Sequence, residues 1–239
     1  MRQNITILAT VLFFLFHGQL WGQTGTFFST DNVLSNSLIN GIYQDSRNYI
    51  WISTEDGLNR FDGVRFTVYR SKRGDQNSLK NNYVRTVFED SKGNIWVGCV
   101  NGLMRYDRGE DKFYEIKIFF RKQPVETHIT SIIETQTGEI IMATSGVGVI
   151  RSKDGNKSFE VDEYLFPQLC SRYLVAIRQD ASGSIWIASE NQGLNRVDAT
   201  LQKVETFSAP LSIGSNQISS IAFNDKNDVF VGTLTSGLF

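Results

Sequence analysis

Short apolar runs alternate with turn residues along this chain, and they return at one spacing. Ile42-Tyr43, Val87-Phe88 and Ile132-Ile133 belong to runs that are apolar on both faces rather than alternating. That pattern predicts strands clamped between neighbouring sheets. After each comes a turn such as Asp90-Ser-Lys-Gly93, and then a second apolar run, of which Ile95-Trp-Val97 is the clearest. Gly93 supplies the positive φ that such a hairpin needs, and Asp90 can cap the turn through its carboxylate. The centres of the second runs are Trp51, Trp96, Ile141, Trp186 and Phe230, which lie 45, 45, 45 and 44 residues apart. Asn101-Gly102 then turns the chain into Leu103–Tyr106, and Arg108–Asp111 turns it again into Lys112–Ile116. Each repeat therefore predicts four antiparallel strands.

A period in the mid-forties built from strands and turns predicts an all-β chain of propeller blades rather than a helical array. The blades are expected over about 34–70, 79–116, 126–161 and 171–207, with a partial fifth over 215–239. The slim residues Gly41, Thr86, Ser131 and Ala176 recur where the first strands would crowd an axis. Trp51, Trp96 and Trp186 share one position and are assigned to packing between blades; aromatic platforms for a sugar would instead need exposure. Residues 26–29 read as an outer strand that closes the last blade of a full ring. With four blades and part of a fifth, the ring is expected to be incomplete in this chain.

Residues 1–22 stand apart. Arg2 precedes an apolar run from Ile5 to Phe16, too short to span a bilayer, so the segment reads as a signal peptide for export. The remaining 217 residues suffice for a large core. Formal net charge is −1, and −2 without Arg2, so no basic field invites nucleic acid. Cys99 and Cys170 fall in different repeats and read as small, unpaired thiols.

The strings Asp90-Ser-Lys-Gly-Asn-Ile-Trp-Val-Gly98 and Asn101-Gly-Leu-Met-Arg-Tyr-Asp107 resemble the two-component regulator propeller repeat. Asp45–Asp62 and Asp180–Asp198 do so as well, and Asp31–Ile39 is similar to the stretch that introduces the family's first blade, with Val33 where Gly is usual. The resemblance implies a periplasmic sensor at the front of a hybrid two-component receptor of the Bacteroidetes, responding to glycan breakdown products. It implies an oligosaccharide ligand, further blades and downstream receptor domains as partners, and a homodimer through the full receptor. The histidine kinase region of such receptors has no counterpart here, so the chain itself is expected to be non-catalytic.

Candidate chemistry is sparse. Beyond the leader the only histidine is His128, which cannot make a histidine-rich metal site, and no metal or other cofactor is expected. Asp45, Asp90 and Asp180 recur once per blade, so they cap turns and do not converge as an acid–base pair or a calcium site. If a ligand binds, propeller geometry directs it to one face, where loops entering the first strands meet those between second and third strands. The candidates there are Asn40, Glu55, Asp56, Tyr83, Arg85, Asn101, His128, Arg172, Tyr173, Glu190 and Asn191. Amides, Tyr and Arg suit sugar hydroxyls and acidic glycans. The alternatives are a propeller enzyme, a lyase or glycosidase acting on carbohydrate, and a scaffold that serves dimerisation.

Overall fold

Each repeat folds into one antiparallel sheet, because its tight polar turns return every apolar run beside the one before. The computed structural model describes residues 28–30, 33–153, 155–165 and 167–239. The expected leader lies outside them, as do Thr26 and Phe27 of the expected closing strand. Blade one holds β1 (Ile39–Gln44), β2 (Ile50–Thr54), β3 (Gly57–Phe61) and β4 (Phe66–Tyr69), paired in that order. Blade two repeats the order with β5 (Val84–Glu89), β6 (Ile95–Cys99), β7 (Gly102–Asp107) and β8 (Lys112–Ile116).

Blade three is wider. A hairpin of β9 (Ile118–Phe120) and β10 (Gln123–Val125) precedes β11 (His128–Glu134), β12 (Ile140–Ser145), β13 (Val149–Lys153) and β14 (Ser158–Val161). β9 pairs parallel with β14, which makes six strands in order β10-β9-β14-β13-β12-β11. Blade four holds β15 (Leu174–Gln179), β16 (Ile185–Ser189), β17 (Leu194–Val197) and β18 (Val204–Phe207). Blade five holds β19 (Ile218–Phe223), β20 (Val229–Thr233) and β21 (Gly237–Leu238). Among the described residues no helix is long and apolar enough to cross a membrane.

The first strands pack side by side as β1, β5, β11, β15 and β19, so the blades fan around one axis. The core is correspondingly divided into four seams rather than gathered in one centre. Trp51 and Leu58 of blade one meet Val84, Val87 and Phe113 of blade two. Trp96 meets Ile129, Ile132 and Phe159, and Ile141 meets Ile177 and Ile185. Between blades four and five, Trp186 lies against Ile221 and Val231 and their neighbours. Trp51 and Trp96 are thus buried seam residues and Trp186 a half-buried one, which leaves none of the three an open sugar platform. The arc stays open between blade five and blade one. Phe28 and Ser29, the described part of the expected closing strand, are not in a strand; the Phe28 ring packs on Phe61 and Phe66 of blade one, with centroids 5.3 and 5.0 Å apart.

The turns at the far ends of the first strands of blades one, two and four are built alike for a physical reason. Asp45, Asp90 and Asp180 each accept N–H bonds from residues two and four positions on, at 2.8–3.1 Å. The other carboxylate oxygen accepts the indole N–H of Trp51, Trp96 or Trp186 at 2.8, 2.9 and 2.9 Å. One buried carboxylate thereby satisfies the turn and the seam tryptophan together. The fourth turn residue is left-handed throughout: Asn48 (φ 64°), Gly93 (81°), Gly138 (80°), Gly183 (85°) and Asn227 (65°). Glycine or asparagine tolerates that conformation at little cost.

Asp180 carries a pH signature. Burial pushes its carboxyl up, but hydrogen bonds from Ser182, the Trp186 indole and the Ser184 N–H outweigh burial and hold it below its ordinary value. A depressed folded pKa contributes stability that is fully present above the unfolded value of about 3.9 and is lost as pH falls through the folded value. Urea melts followed by tryptophan fluorescence should therefore show stability falling less steeply below about pH 4 in Asp180→Asn than in the wild type.

Candidate functional site

Every first strand carries a bulge near its start. The register shifts between Ile39 and Gly41, Val84 and Thr86, Ile129 and Ser131, Leu174 and Ala176, and Ile218 and Ser220. The extra residues are Asn40, Arg85, Thr130, Val175 and Ser219. A bulge leaves its residue unpaired in the ladder and re-aims the side chain. All five contribute to one axial cavity of about 440 Å³, walled by the five first strands. The slim residues Gly41, Thr86, Ser131 and Ala176 line it too, as their recurrence near a crowded axis predicts.

The polar groups of this funnel are one-sided in charge. Arg85 and Arg178 line it, and no Asp or Glu does. Arg85 Nη1 donates to Asn40 Oδ1 at 3.3 Å, while Asn40 Nδ2 donates to the Val84 carbonyl at 2.9 Å. Arg178 Nη1 donates to Ser131 Oγ at 3.1 Å and to the Ile177 carbonyl at 2.8 Å. Neither guanidinium has a carboxylate partner among the described residues. Packing among the inner strands pulls Arg178 below its ordinary value, although the side chain keeps contact with solvent through the funnel. An arginine stays cationic at neutral pH under either influence.

At the mouth beside blades two and three, the Tyr83 and His128 rings meet edge to face, centroids 5.8 Å apart. Nε2 of His128 is buried without a hydrogen-bond partner. Burial, and secondarily the charge of Arg85, pushes the imidazole below its ordinary value, which favours the neutral ring at pH 7. The Tyr83 carbonyl accepts the Val100 N–H at 3.2 Å, which ties this entry loop to the turn holding Asn101, whose Oδ1 is likewise buried and unpartnered. Arg85 thus pairs with Asn40 in the funnel and Tyr83 with His128, and Arg85 is near enough to His128 for its charge to act on the imidazole.

The profile of the two-component regulator propeller family matches residues 33–56 and 78–101, the introducing stretch with the first hairpin of blade one and the corresponding part of blade two. Two stretches of the chain are thus similar to the two-component regulator propeller repeat. A histidine kinase P4 of Formosa agariphila is 35% identical over 80 residues, which is 32% of this chain and 6% of that kinase. Among solved structures, the extracellular domain assigned to a hybrid two-component system of B. thetaiotaomicron superposes with a TM-score of 0.77 at 22% identity. That match covers 89% of this chain and 30% of the other. A virginiamycin B lyase from Staphylococcus aureus gives a TM-score of 0.62 at 15% identity, over 84% of this chain and 68% of its own. At such identities the likeness shows the propeller fold alone. The chain spans a small part of the kinase and under a third of the extracellular domain.

The remaining predicted residues serve the rim in different ways. Asp56 is engaged structurally: it pairs with Arg70 at 3.2 Å and accepts Asn82 Nδ2 at 2.9 Å. Glu55 sits in the same turn, where its N–H donates to the Leu38 carbonyl at 3.3 Å. The Arg172 carbonyl accepts the Gly146 and Gly148 N–H groups at 3.0 and 3.2 Å, joining blade four to the blade-three turn. Tyr173 and Glu190 are linked through a 2.9 Å backbone bond, and Tyr173, Glu190 and Asn191 all have exposed side chains. Sequence reasoning did not single out Arg178, Thr130 or Ser219. A signal for Arg178 was present, since a lone arginine interrupts the apolar run Leu174-Val-Ala-Ile177. Among the described residues no group of three or more His, Cys, Asp or Glu could hold a metal ion. Cys99 and Cys170 are free thiols, the former pushed up to about 12 by burial.

Proposed function

We propose that this regulator propeller is the front portion of an exported, periplasmic sensor that binds an oligosaccharide and performs no chemistry on it. In this reading it belongs to a hybrid two-component receptor in which further blades and kinase domains complete the signalling path. The observation that carries the ligand-binding part is the axial funnel: two guanidiniums without carboxylate partners, set among an amide and several hydroxyls. Such groups fit a hydroxylated ligand bearing carboxylate or sulfate, as acidic glycan fragments do. The histidine kinase relative and the two-component assignment of the structural neighbour support the sensor role, and that neighbour's extracellular assignment supports export. No carboxylate pair of the kind used in glycoside hydrolysis lines the funnel.

Calorimetry of the secreted protein against neutral, uronate-bearing and sulfated oligosaccharides tests this. Acidic fragments should bind. Arg178→Met and Arg85→Met should each weaken binding about tenfold or more, since charged hydrogen bonds contribute roughly 1.5–3 kcal/mol. Absence of binding across the acidic set, or binding indifferent to both substitutions, overturns the funnel as the site. Depolymerisation of a glycan by the purified protein would favour the propeller enzyme instead.

A further inference from the structure

Blade two departs from the repeat at the turn that begins its third strand. In the other four blades a hydroxyl closes this turn. Thr54, Thr144, Ser189 and Thr233 each donate to the carbonyl of a turn glycine, at 2.7–2.9 Å. Cys99 stands at that position in blade two, fully buried, and makes no such bond. At three seams a glycine N–H of the turn also donates to the loop entering the next blade. Gly57 reaches the Asn82 carbonyl at 2.7 Å, Gly148 that of Arg172 at 3.2 Å and Gly193 that of Asn216 at 3.1 Å. The corresponding tie in blade two would run from Gly102 to Thr127, and it is absent among the described residues. Gly102 and Glu126, the neighbour of Thr127, instead line a cavity of about 280 Å³.

Part of the lining comes from the β9–β10 hairpin, which blade three alone carries among the described blades. Ile118, Pro124 and Val125 of that hairpin join Ile116 in an apolar part of the wall. The polar part holds Lys80, Asn101, Glu115 and Glu126. Lys80 Nζ donates to one carboxylate oxygen of Glu115 and one of Glu126, each at 2.7 Å. The other oxygen of each carboxylate has no partner among the described residues. Asn101 makes no side-chain hydrogen bond to them either: Oδ1 is buried without a partner, and Nδ2 donates to none. Turning the amide over exchanges the two atoms, so this side chain can donate to a ligand hydroxyl or accept from one. Lys117 completes the lining, and two amines against two carboxylates leave it neutral.

We propose that this cavity is a second binding site, separate from the axial funnel, for one neutral pyranose ring. The free carboxylate oxygens accept ring hydroxyls, the Asn101 amide makes a further contact, and the apolar wall receives the C–H face of the sugar. The volume lies just below the roughly 300–1,000 Å³ of drug-sized sites, which suits a single ring. Lys80 is already held by two carboxylates, so the site lacks the unpaired guanidiniums that suit the funnel to acidic fragments. Three departures from the repeat meet here: a thiol for a hydroxyl, a missing tie and an added hairpin. A repeat that abandons its own hydrogen bonds at one seam is less stable there, and such departures concentrate at functional sites. The inference rests on the oligosaccharide reading for its ligand class, while no residue of this cavity lines the funnel.

Amide NMR spectra of the isotope-labelled protein, titrated with the methyl pyranosides of glucose, galactose and mannose, test the site. At least one sugar should shift residues 80, 101–102 and 115–126 saturably. Asn101→Ala breaks no hydrogen bond within the protein and should weaken that binding about three- to tenfold, the loss of one neutral hydrogen bond. Glu126→Ala, at an exposed residue, should weaken it as much, whereas Arg85→Met and Arg178→Met should leave it unchanged. No saturable shift with any of the sugars overturns the proposal. So does an equal response to glycerol, or binding that neither Asn101→Ala nor Glu126→Ala weakens. Shifts that vanish in Arg85→Met overturn it as well, because neutral sugars would then occupy the funnel. Failure of the funnel has a different signature: acidic fragments do not bind, while the pyranosides still shift the cavity residues.

Discussion

Arg108→Met is expected to destabilise the propeller by about 3–5 kcal/mol in chemical denaturation, the cost of leaving buried charge without its partner. Arg108 lies in the turn between β7 and β8 of blade two, yet its guanidinium reaches Asp45 of blade one at 3.0 Å and Glu89 at 2.7 Å. The Asp45 side chain is fully buried, and those of Arg108 and Glu89 nearly so. Without the cation, two carboxylates would share one seam with only neutral donors, the Trp51 indole, the N–H groups of Arg47 and Tyr49, and the N–H and hydroxyl of Ser46. Glu89→Gln in the same protein should recover part of the loss, because a glutamine still accepts from Ser46 while removing one charge. If Arg108→Met melts within about 1 kcal/mol of wild type, as exposed ion pairs allow, the ion pair is ornamental.

Trp51→Ala is expected to cost about 3–5 kcal/mol through lost burial and the cavity it leaves. Trp51 is fully buried, its ring 5.1 Å from Tyr106 edge to face and 6.1 Å from Tyr69 in a stacked arrangement. Those two tyrosines belong to β4 and β7, so the indole holds the outer half of blade one against blade two. Its N–H also satisfies Asp45 at 2.8 Å. Trp51→Phe separates the contributions: it keeps most of the apolar contact but leaves a carboxylate acceptor short of a donor, a cost of about 1–3 kcal/mol. Denaturation of the three proteins orders them wild type, Phe, Ala. A stable Trp51→Ala protein that had lost only glycan binding would return the tryptophans to the role of binding platforms.

The two variants mark where sequence reading succeeds and where it stops. The seam position of Trp51 is legible in the sequence, because its recurrence at Trp96 and Trp186 implies one structural position and the flanking residues are apolar. Arg108 was seen only as part of a turn. Nothing near it in the chain signals that it lands on Asp45, 63 residues earlier. The parallel pairing of β9 with β14 was likewise invisible, since Ile118–Val125 fell between expected blades and neither strand has a repeat to echo. Of residues 26–29, the described Phe28 and Ser29 lie outside any strand, and the Phe28 ring packs on the Phe61–Phe66 pair.

The site divides the same way. Asn40, Arg85 and His128 are legible as polar residues at strand entries; the structure pairs Arg85 with Asn40 and His128 with Tyr83. Arg178 was missed because it sits four residues deeper in its strand, where the repeat reads as core. The sequence alone determined the elements that local chemistry sets: strands from apolar runs, turns from Asp and Gly, and a seam tryptophan from the 45-residue period. Only the tertiary structure decided which residues face the axis, which carboxylate meets which cation, and which seam opens into a cavity. A repeat encodes hydrogen-bonded ladders within one blade, whereas contacts between blades depend on how successive sheets fan about an axis, and that geometry has no local signature.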